Sequence, residues 1–509
     1  MTSRQKKQAK RAEAQFDDIM SGRLKVGMPE KHKKSAQANR KGGGVANAES
    51  EDEMIADYMR VLRMLLPGAL AKLSKLEDPR CEKKCDHTLP TLLIYGLLMF
   101  IINIPSRRAA NREIGGDAAH DMIRQVIPEL TTMPHADTLA RLLKRIGADG
   151  IESCYESAII EFIKSKTFLE LNPGHCLIAI DGTKKLSRKY RFDEKALVYN
   201  RGNEEKERYC VYILESVLIL NNGMVLPLFT EFLENADGEL DDSAKKQDCE
   251  LKAFIRLADK IKKHIGKGRV TLVVDGLYAS GPVVTRCNSY GWEHMITLKC
   301  GSLKSVWEEY DGLRKLDKGN ALQNTTEFDR KQKFEWSNEI EYIYGGNNKK
   351  IKLNVVTCRE EWSEAHPRSG GKPELKVSEY AWLSSSIITA RNVTMLCNEV
   401  ARKRWRIENH FHVEKNQGYN YSHCFSYNWN AMKAYHSLMK YGHFINTMIL
   451  GSAITYKYVV ALGARWFIKK VWDVLKHRVI SWEKAELLLT NKAGKRRGCV
   501  FREIHPRAA

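Results

Sequence analysis

Two short apolar runs in the middle of the chain each lead directly into an acid followed by a glycine. Residues 176–180 precede Asp181, and residues 270–274 precede Asp275. Each run is too short for an independent helix and has the length of a buried strand. Because a buried strand can deliver its last side chain to the edge of a sheet, we expect each strand to end at its aspartate and to present a carboxylate there.

The segment between the two runs predicts a hairpin and then a helix. Apolar stretches at 210–220 and 224–229 flank Asn222 and Gly223, a pair that favours a tight hairpin turn. Residues 250–261 repeat apolar side chains every three to four positions, as a helix facing a core does. The order strand, hairpin, helix, strand lets the two aspartate-bearing strands lie side by side and parallel. This is the connectivity of the ribonuclease-H-like fold.

A third acid, Glu408, is predicted to lie on a helix. With Arg404 at the origin and about 100° per residue, Glu408 lies near 40° and Lys415 near 20°. Apolar Ile407 and Phe411 lie beside them, so the helix can dock on the sheet with all three charged groups pointing the same way. An ordinary ion pair between Arg404 and Glu408, four residues apart, is the alternative, and the two upstream aspartates favour a shared site.

Charge and composition favour a polyanionic partner. The 509 residues include 83 Lys and Arg against 62 Asp and Glu, for a net charge of +21. A basic enzyme with no nucleic-acid partner is equally compatible with charge alone. Twelve scattered cysteines predict reduced thiols in a cytoplasmic protein. The apolar stretch at 92–102 falls short of the roughly 20 residues of a membrane helix, so we expect a buried helix there and no membrane association.

The patterns divide the chain into segments of an α/β protein. A helix preceded by Asp137 as N-cap would present Arg141, Lys144 and Arg145 as a basic, DNA-binding face, with a plain packing layer as the alternative. We expect six segments: a basic, disordered tail (1–50); a helical DNA-binding region (51–170); the first part of a ribonuclease-H-like core (171–300); a β-rich insertion (301–395); the Glu-bearing helices of the core (396–450); and a C-terminal helical region with a basic tail (451–509).

Three converging carboxylates in a basic protein predict metal-dependent chemistry on a nucleic-acid phosphate. Asp181, Asp275 and Glu408 would be the catalytic residues and the ligands of two Mg²⁺ ions, with Mn²⁺ as the alternative metal. Two ions roughly 3.5–4 Å apart can activate a nucleophile and stabilise the leaving oxygen together. Arg404 and Lys415 suit contacts to DNA phosphates, the first by its fork geometry and the second as a point charge.

These residues together resemble the DDE transposases of bacterial insertion sequences, in the branch with a β-strand insertion before the glutamate. The resemblance covers roughly 171–450, and it rests on Asp181-Gly182-Thr183, on Asp275-Gly276-Leu277-Tyr278, and on Arg404, Glu408 and Lys415 at the spacing of a Tyr-x2-Arg-x3-Glu-x6-Lys signature. Ala401 stands at the tyrosine position and departs from that signature.

The resemblance implies a magnesium-dependent enzyme that binds the terminal inverted repeats of its own element, cleaves there, and joins the freed 3′-hydroxyl to target DNA. It also implies double-stranded DNA as partner and a homodimer in the synaptic complex. The β-rich insertion would handle the flanking strand. Trp307 and Trp336 are candidates for stacking on an extruded base there, and packing is the alternative for each.

Two other functions remain open at this point. A structure-specific nuclease on the same fold would cut DNA without joining it. A domesticated DNA-binding protein would bind without cutting, although it would have no need for all three acids. In each case we expect a cytoplasmic, nucleoid-associated bacterial protein.

Overall fold

The computed structural model describes residues 48–115, 123, 127, 130, 132–203, 205–235, 247–326, 329–365 and 373–477. The predicted basic segments at the two ends of the chain fall almost wholly outside these residues. The α-helices of more than one turn are α1 (Ala48–Leu73), α2 (Leu89–Ile101), α3 (Arg107–Glu113), α4 (Ala136–Leu143), α5 (Ala148–Lys164), α6 (Lys166–Leu171), α7 (Glu250–Ile265), α8 (Gly281–Ser289), α9 (Lys304–Leu316), α10 (Arg406–Asn416), α11 (Trp429–Gly451), α12 (Tyr456–Leu462) and α13 (Ala464–His477).

Strands alternate with these helices in the middle of the chain. They are β1 (Cys176–Arg188), β2 (Leu197–Tyr199), β3 (Arg208–Ile219), β4 (Val225–Leu233), β5 (Val270–Val274), β6 (Glu293–Thr297), β7 (Ala321–Thr325), β8 (Lys331–Tyr344), β9 (Lys349–Ala365) and β10 (Pro373–Ser384). Among the described residues the chain forms two compact units. The first unit comprises 175–181 and 265–408, and the second comprises 48–174, 182–264 and 409–477.

The first unit is built on a large mixed sheet. Its strand order is β1-β5-β6-β10-β9-β8-β7. β1, β5 and β6 are parallel neighbours, and the remaining pairs are antiparallel. The parallel strand β5 is buried along its whole length, as expected for a strand covered on both faces.

The β-rich insertion belongs to this sheet, with longer strands than the sequence pattern predicts. Within the insertion the sequence pattern predicts separate strands at 326–336 and 340–344. The two form one strand, β8, because a register shift between Ser337 and Ile340 lets it bend without ending. The pattern also missed β7, whose residues alternate between exposed and half-buried and leave only a weak apolar signal.

The second unit contains the hairpin and most of the helices. β3 and β4 pair antiparallel, and α7 follows them, which confirms the predicted hairpin and helix. α2 is buried along nearly its whole length, with Thr88 as N-cap. It lies close to the buried helix α11, and a Cβ at Gly442 would come within 2.8 Å of the Phe100 Cβ. None of the helices in the described ranges is long and apolar enough to cross a membrane.

Candidate active site

The two aspartates follow neighbouring parallel strands. β1 and β5 pair in register, with Ile180 opposite Val274, and paired strands lie about 4.8 Å apart. Asp181 and Asp275 are the next residues on the two strands. Their side chains are 23% and 26% exposed, so both carboxylates are held by buried backbone and remain open to a ligand.

One of the two strands does not end where the sequence pattern predicts. β5 stops at Val274, but β1 continues beyond Asp181 to Arg188. The expected end at Asp181 is therefore wrong, because β1 also has β3 as a neighbour and keeps a pairing partner where β5 has ended. Asp275 does follow a strand end, and its Oδ1 accepts a hydrogen bond of 2.7 Å from the Leu277 amide.

The glycine after Asp275 allows a lysine to approach that acid. Lys299 Nζ lies 2.9 Å from Asp275 Oδ2, and a Cβ at Gly276 would come within 2.6 Å of the Lys299 side chain. The sequence interpretation missed Lys299. A usable signal existed, because residues 295–298 form a short run of strand length that ends just before Lys299, as residues 270–274 end just before Asp275.

Arg404 connects the first acid to the third. Its two terminal nitrogens lie 4.0 Å from Asp181 Oδ2 and 2.9 Å from Glu408 Oε1. The Arg404 side chain is only 11% exposed, against 35% for Glu408, and its guanidinium lies 4.5 Å from the centre of the Trp405 ring. Since one guanidinium contacts both carboxylates, Asp181 and Glu408 belong to one site in the first unit.

The backbone around Arg404 is not the regular helix that the angular analysis assumed. Residues 396–400 form a π-helical turn and Ala401–Trp405 a 3₁₀ turn, and α10 begins only at Arg406. The angles counted from Arg404 are therefore wrong, although the contact to Glu408 forms. Ala401, at the signature tyrosine position, is 3% exposed and offers no hydroxyl to a phosphate.

Lys415 lies in the second unit and binds next to β1 residues. Its Nζ donates to the Thr183 hydroxyl and lies 5.6 Å and 5.7 Å from the Phe411 and Tyr421 ring centres. Thr183 comes two residues after Asp181 in the chain. Lys415 is thus fixed to the strand that carries the first acid.

The predicted DNA-binding cations of the helical region are exposed on or just after α4. Arg141 donates to the Thr138 hydroxyl at 3.0 Å, and Arg145 donates to the Pro79 carbonyl at 2.9 Å; Lys144 is also exposed. Asp137 is not the N-cap of this helix. His135 occupies that position, and its side chain accepts from the Asp137 amide.

The two candidate stacking tryptophans differ in exposure. Trp336 is 3% exposed within β8, so its ring serves as packing and the stacking prediction is wrong for it. Trp307 is half-buried and donates its indole N–H to the Lys299 carbonyl at 3.2 Å. Only the second ring keeps a face that could meet a base.

The three acids fit a hard divalent cation. Carboxylate oxygens are the ligands that Mg²⁺ and Mn²⁺ favour, and the charges of Asp181, Asp275 and Glu408 are now balanced in part by Arg404 and Lys299. These cations sit on long side chains at a partly open site, so a metal ion can replace their charge without unfolding the sheet.

A second group of metal-type side chains lies buried in the second unit, and its geometry does not suit a metal. His410, Glu414 and His443 bring one ligand atom each within 4.8 Å of one another. The two imidazole rings stack at 4.7 Å and 17°, whereas a shared metal has to lie in the plane of both rings. Lys440 Nζ already donates to both Glu414 oxygens, at 2.8 and 2.9 Å.

The same lysine links Glu414 to a further buried acid. Lys440 also donates to Glu215, whose Oε1 accepts from the Tyr421 hydroxyl at 2.8 Å. Burial opposes ionisation of Glu215, but the Lys440 charge and the His436 contact outweigh it and lower its pKa to about 2. We term Glu215, Glu414 and Lys440 the buried ion triad.

A cavity of about 610 Å³ also lies in the second unit, and none of the three predicted acids lines it. Lys260 sits in its wall, at 2.9, 3.1 and 3.5 Å from oxygens of Glu152, Glu156 and Glu231. Six acids and four basic residues line this cavity, so it is a network of ion pairs with an excess of negative charge.

Two family models match the sequence. Residues 237–439 match the Transposase DDE domain, and residues 70–158 match the domain described as DDE_Tnp_1-associated. The first match contains Asp275 and Glu408 and begins after Asp181; the second contains the basic residues of α4. No curated protein matches the sequence. A transposase DDE domain implies a ribonuclease-H-like fold, a polynucleotidyl transferase activity and DNA as partner, in line with the mixed sheet and the helical N-terminal region.

Proposed function

We propose that this protein is a cut-and-paste DNA transposase of a bacterial insertion sequence. It binds the terminal inverted repeats of its element, cleaves the strands there and transfers the 3′ ends to target DNA. Asp181, Asp275 and Glu408 are its catalytic acids and metal ligands. Double-stranded DNA is the substrate, and a homodimer is the form that brings two ends together.

One observation carries this proposal. The in-register parallel pairing of β1 and β5 puts Asp181 and Asp275 at adjacent positions, and Arg404 contacts both Asp181 and Glu408. A purely structural ion pair would account for Arg404 and Glu408 alone. It gives no reason for two further acids on parallel strands of the same unit.

The acids and the cations of the proposed site have different roles. The two strand-borne aspartates are rigid, because buried backbone holds them, and Glu408 completes the ligand set from a helix. A divalent cation held there would activate the attacking oxygen and stabilise the leaving oxygen of the phosphate. Arg404 and Lys299, which now balance the acids, can turn to phosphate oxygens once the acids are neutralised.

Lys415 supplies a further positive charge beside β1. Its anchoring to Thr183 keeps the ammonium next to the strand that carries Asp181. This position suits a phosphate of the transposon end. The exposed cations Arg141, Lys144 and Arg145 would contact DNA backbone further from the chemistry.

A strand-transfer assay tests the proposal. The donor is a plasmid that carries the coding region with its natural flanking DNA, and the target is a second plasmid, with Mg²⁺ or Mn²⁺ added. Wild-type protein should yield joined products, and Asp181→Asn and Asp275→Asn should abolish them while both variants still retard donor DNA. Retained joining in either variant would contradict the assignment of the acids.

The alternatives give different products in the same assay. Cutting without joining, lost in the Asp181→Asn variant, would show a nuclease and overturn the transferase step. Retarded DNA with no cutting by the wild type would show a binding protein. A steep fall of binding with salt is expected in every case, because phosphate contacts release counterions.

A further inference from the structure

A basic and aromatic surface lies in the second unit, at the far end of β1 and the loop after it. We term Arg188, Tyr190, Phe192 and Tyr427 the Tyr427 surface. None of these residues belongs to the acid site. None of them is among the site residues predicted from the sequence.

The rings of this surface are held in a fixed arrangement. Tyr427 lies at the centre, 6.2 Å from the Tyr190 ring and 5.5 Å from the Phe192 ring. The two tyrosine hydroxyls are 2.9 Å apart, and Arg188 Nε donates to the Tyr427 hydroxyl at 2.9 Å. The Arg188 guanidinium lies 5.7 Å from the centre of the same ring. The arrangement is thus ordered before any ligand arrives.

The rings nevertheless face solvent. Tyr190 is 54% exposed and Tyr427 is 40% exposed, so burial in the core does not explain the cluster. Hydrogen bonds that fix an exposed aromatic group leave a flat face ready for a partner at little further entropic cost.

The surroundings of this surface are strongly basic. Between residues 182 and 192 the sequence has five Lys and Arg and no acid; Asp193 and Glu194 follow, and Glu194 lies 3.9 Å from Arg191. Lys185 is buried, but Lys184, Lys189 and Arg191 are exposed. A positively charged groove with aromatic rings is the combination that proteins use for single-stranded nucleic acid, with cations on the backbone and bases stacked on the rings.

We propose that the Tyr427 surface stacks against an unpaired base of the DNA substrate. This inference rests on the proposed function and adds to it a contact with melted or distorted DNA. β1 is continuous from Asp181 to Arg188, so the same strand carries the first predicted acid and the first residue of this surface.

The chemistry favours a base over a protein partner. Protein interfaces are enriched in Tyr, Phe and Arg but depleted in Lys, so the exposed Lys184 and Lys189 of the same segment are what favours a nucleic acid here. A paired base hides both its faces in the stack, so the exposed rings would gain from an unpaired base and hardly at all from an intact duplex.

The experiment compares two DNA probes and two double variants in the full chain. Affinities for a labelled 20-nucleotide oligothymidylate and for a 20-base-pair duplex are measured by fluorescence anisotropy at fixed salt. Tyr190→Ala with Tyr427→Ala should weaken oligothymidylate binding by roughly 5- to 150-fold per stacked base and change duplex binding by less than about threefold. Tyr190→Phe with Tyr427→Phe keeps the rings and should bind oligothymidylate within about threefold of wild type.

Three results would overturn the inference. Unchanged oligothymidylate binding in the alanine variant, or equal losses on both probes, would show that the rings do not stack on a base. A change of oligomeric state in sedimentation with unchanged DNA affinity would assign the surface to a protein partner. If wild-type protein still joins DNA in the strand-transfer assay, any of these results removes the stacking site and leaves the proposed function standing.

Discussion

The two units both pair acids with cations, and the two arrangements differ in burial. In the first unit Asp181, Asp275 and Glu408 are between 23% and 35% exposed, and the Lys299 side chain is 58% exposed. In the second unit the side chains of the buried ion triad are at most 2% exposed.

This difference in burial separates two roles for the same residue types. A buried charge has lost its water and depends on its partner, so removing the partner is costly. A partly exposed charge keeps much of its hydration, and its partner contributes little to stability. We therefore assign the buried ion triad to stability and the partly exposed acids to chemistry.

The largest effect is expected from Lys440→Met. This change leaves Glu215 and Glu414 buried without their shared cation, and breaking such a pair costs about 3–5 kcal/mol. Urea unfolding monitored by circular dichroism measures the loss. A change below about 1 kcal/mol would contradict the comparison, because it would mean that the triad contributes no more than a surface pair.

Glu408→Gln should reduce activity and leave stability unchanged, the opposite of what is expected for Lys440→Met. It removes a ligand charge with little change of shape, so folding and DNA retardation should persist. Strand cleavage should fall at least about 100-fold, because mutating even the residues that hydrogen-bond to metal ligands lowers metal affinity or activity by about 10- to 100-fold. Cleavage of the donor plasmid and the thermal melting curve are measured together.

Glu399→Gln is the matched control for that variant. Glu399 forms an ordinary pair with Lys403 four residues on, at 3.5 Å and 68% exposed. Its loss should leave cleavage within about twofold of wild type, since exposed pairs of this kind contribute little. Unfolding of the Glu408→Gln protein with normal folding of the control would identify Glu408 as a structural residue.

Acid should weaken the second unit through its buried charges. Burial lowers the pKa of His436 and of His443 to about 4 despite their contacts to Glu215 and Glu414, so both are neutral in the fold. An unfolded histidine titrates near 6.5. The unfolded state thus binds more protons below that value, and stability is lost as the pH falls from about 6.5 towards 4.

The two buried glutamates act in the same direction at lower pH. The pKa of Glu414 is held well below its usual range: burial opposes this, and Lys440 and His410 outweigh burial. Stability from both glutamates is present above about pH 4.5 and is lost as the pH falls towards their folded values. We expect the free energy of unfolding, measured by urea denaturation, to fall by roughly 3–4 kcal/mol between pH 7 and pH 5. His436→Gln with His443→Gln should flatten that drop, and an undiminished drop would assign it to other groups.

The smallest effect is expected from Lys299→Met. It removes the cation beside Asp275 as Lys440→Met removes the cation beside Glu414, but at an exposed position. The free energy of unfolding should change by less than about 1 kcal/mol. A loss as large as that of Lys440→Met would remove the distinction between the two arrangements.

Local patterns in the sequence predict the acid-bearing strands, the β3–β4 hairpin and α7, because each depends on residues close together in the chain. The ion pair between Arg404 and Glu408, which the sequence offered as the alternative to a shared site, does form. The angular placement of Arg404 fails because π and 3₁₀ turns precede α10. The end of β1 is misplaced because a neighbouring strand, β3, continues to pair with it.

The buried ion triad could not be predicted from such patterns. Glu215 and Lys440 are 225 residues apart in the chain, and each alone resembles an ordinary surface charge. Lys299 beside Asp275 is easier to predict, since a short run of strand length ends just before each of the two residues. Contacts that depend on tertiary neighbours leave no periodic signal in the sequence.

The most direct test of the central claim is a crystal of the wild-type protein soaked in Mn²⁺, with the metal located by its anomalous scattering. The account predicts Mn²⁺ in direct contact with carboxylate oxygens of Asp181 and Asp275, and no such peak in the Asp181→Asn protein. Mn²⁺ bound at Glu414 and His443 instead, or no metal at the two aspartates when Mn²⁺ supports strand transfer in solution, would contradict it.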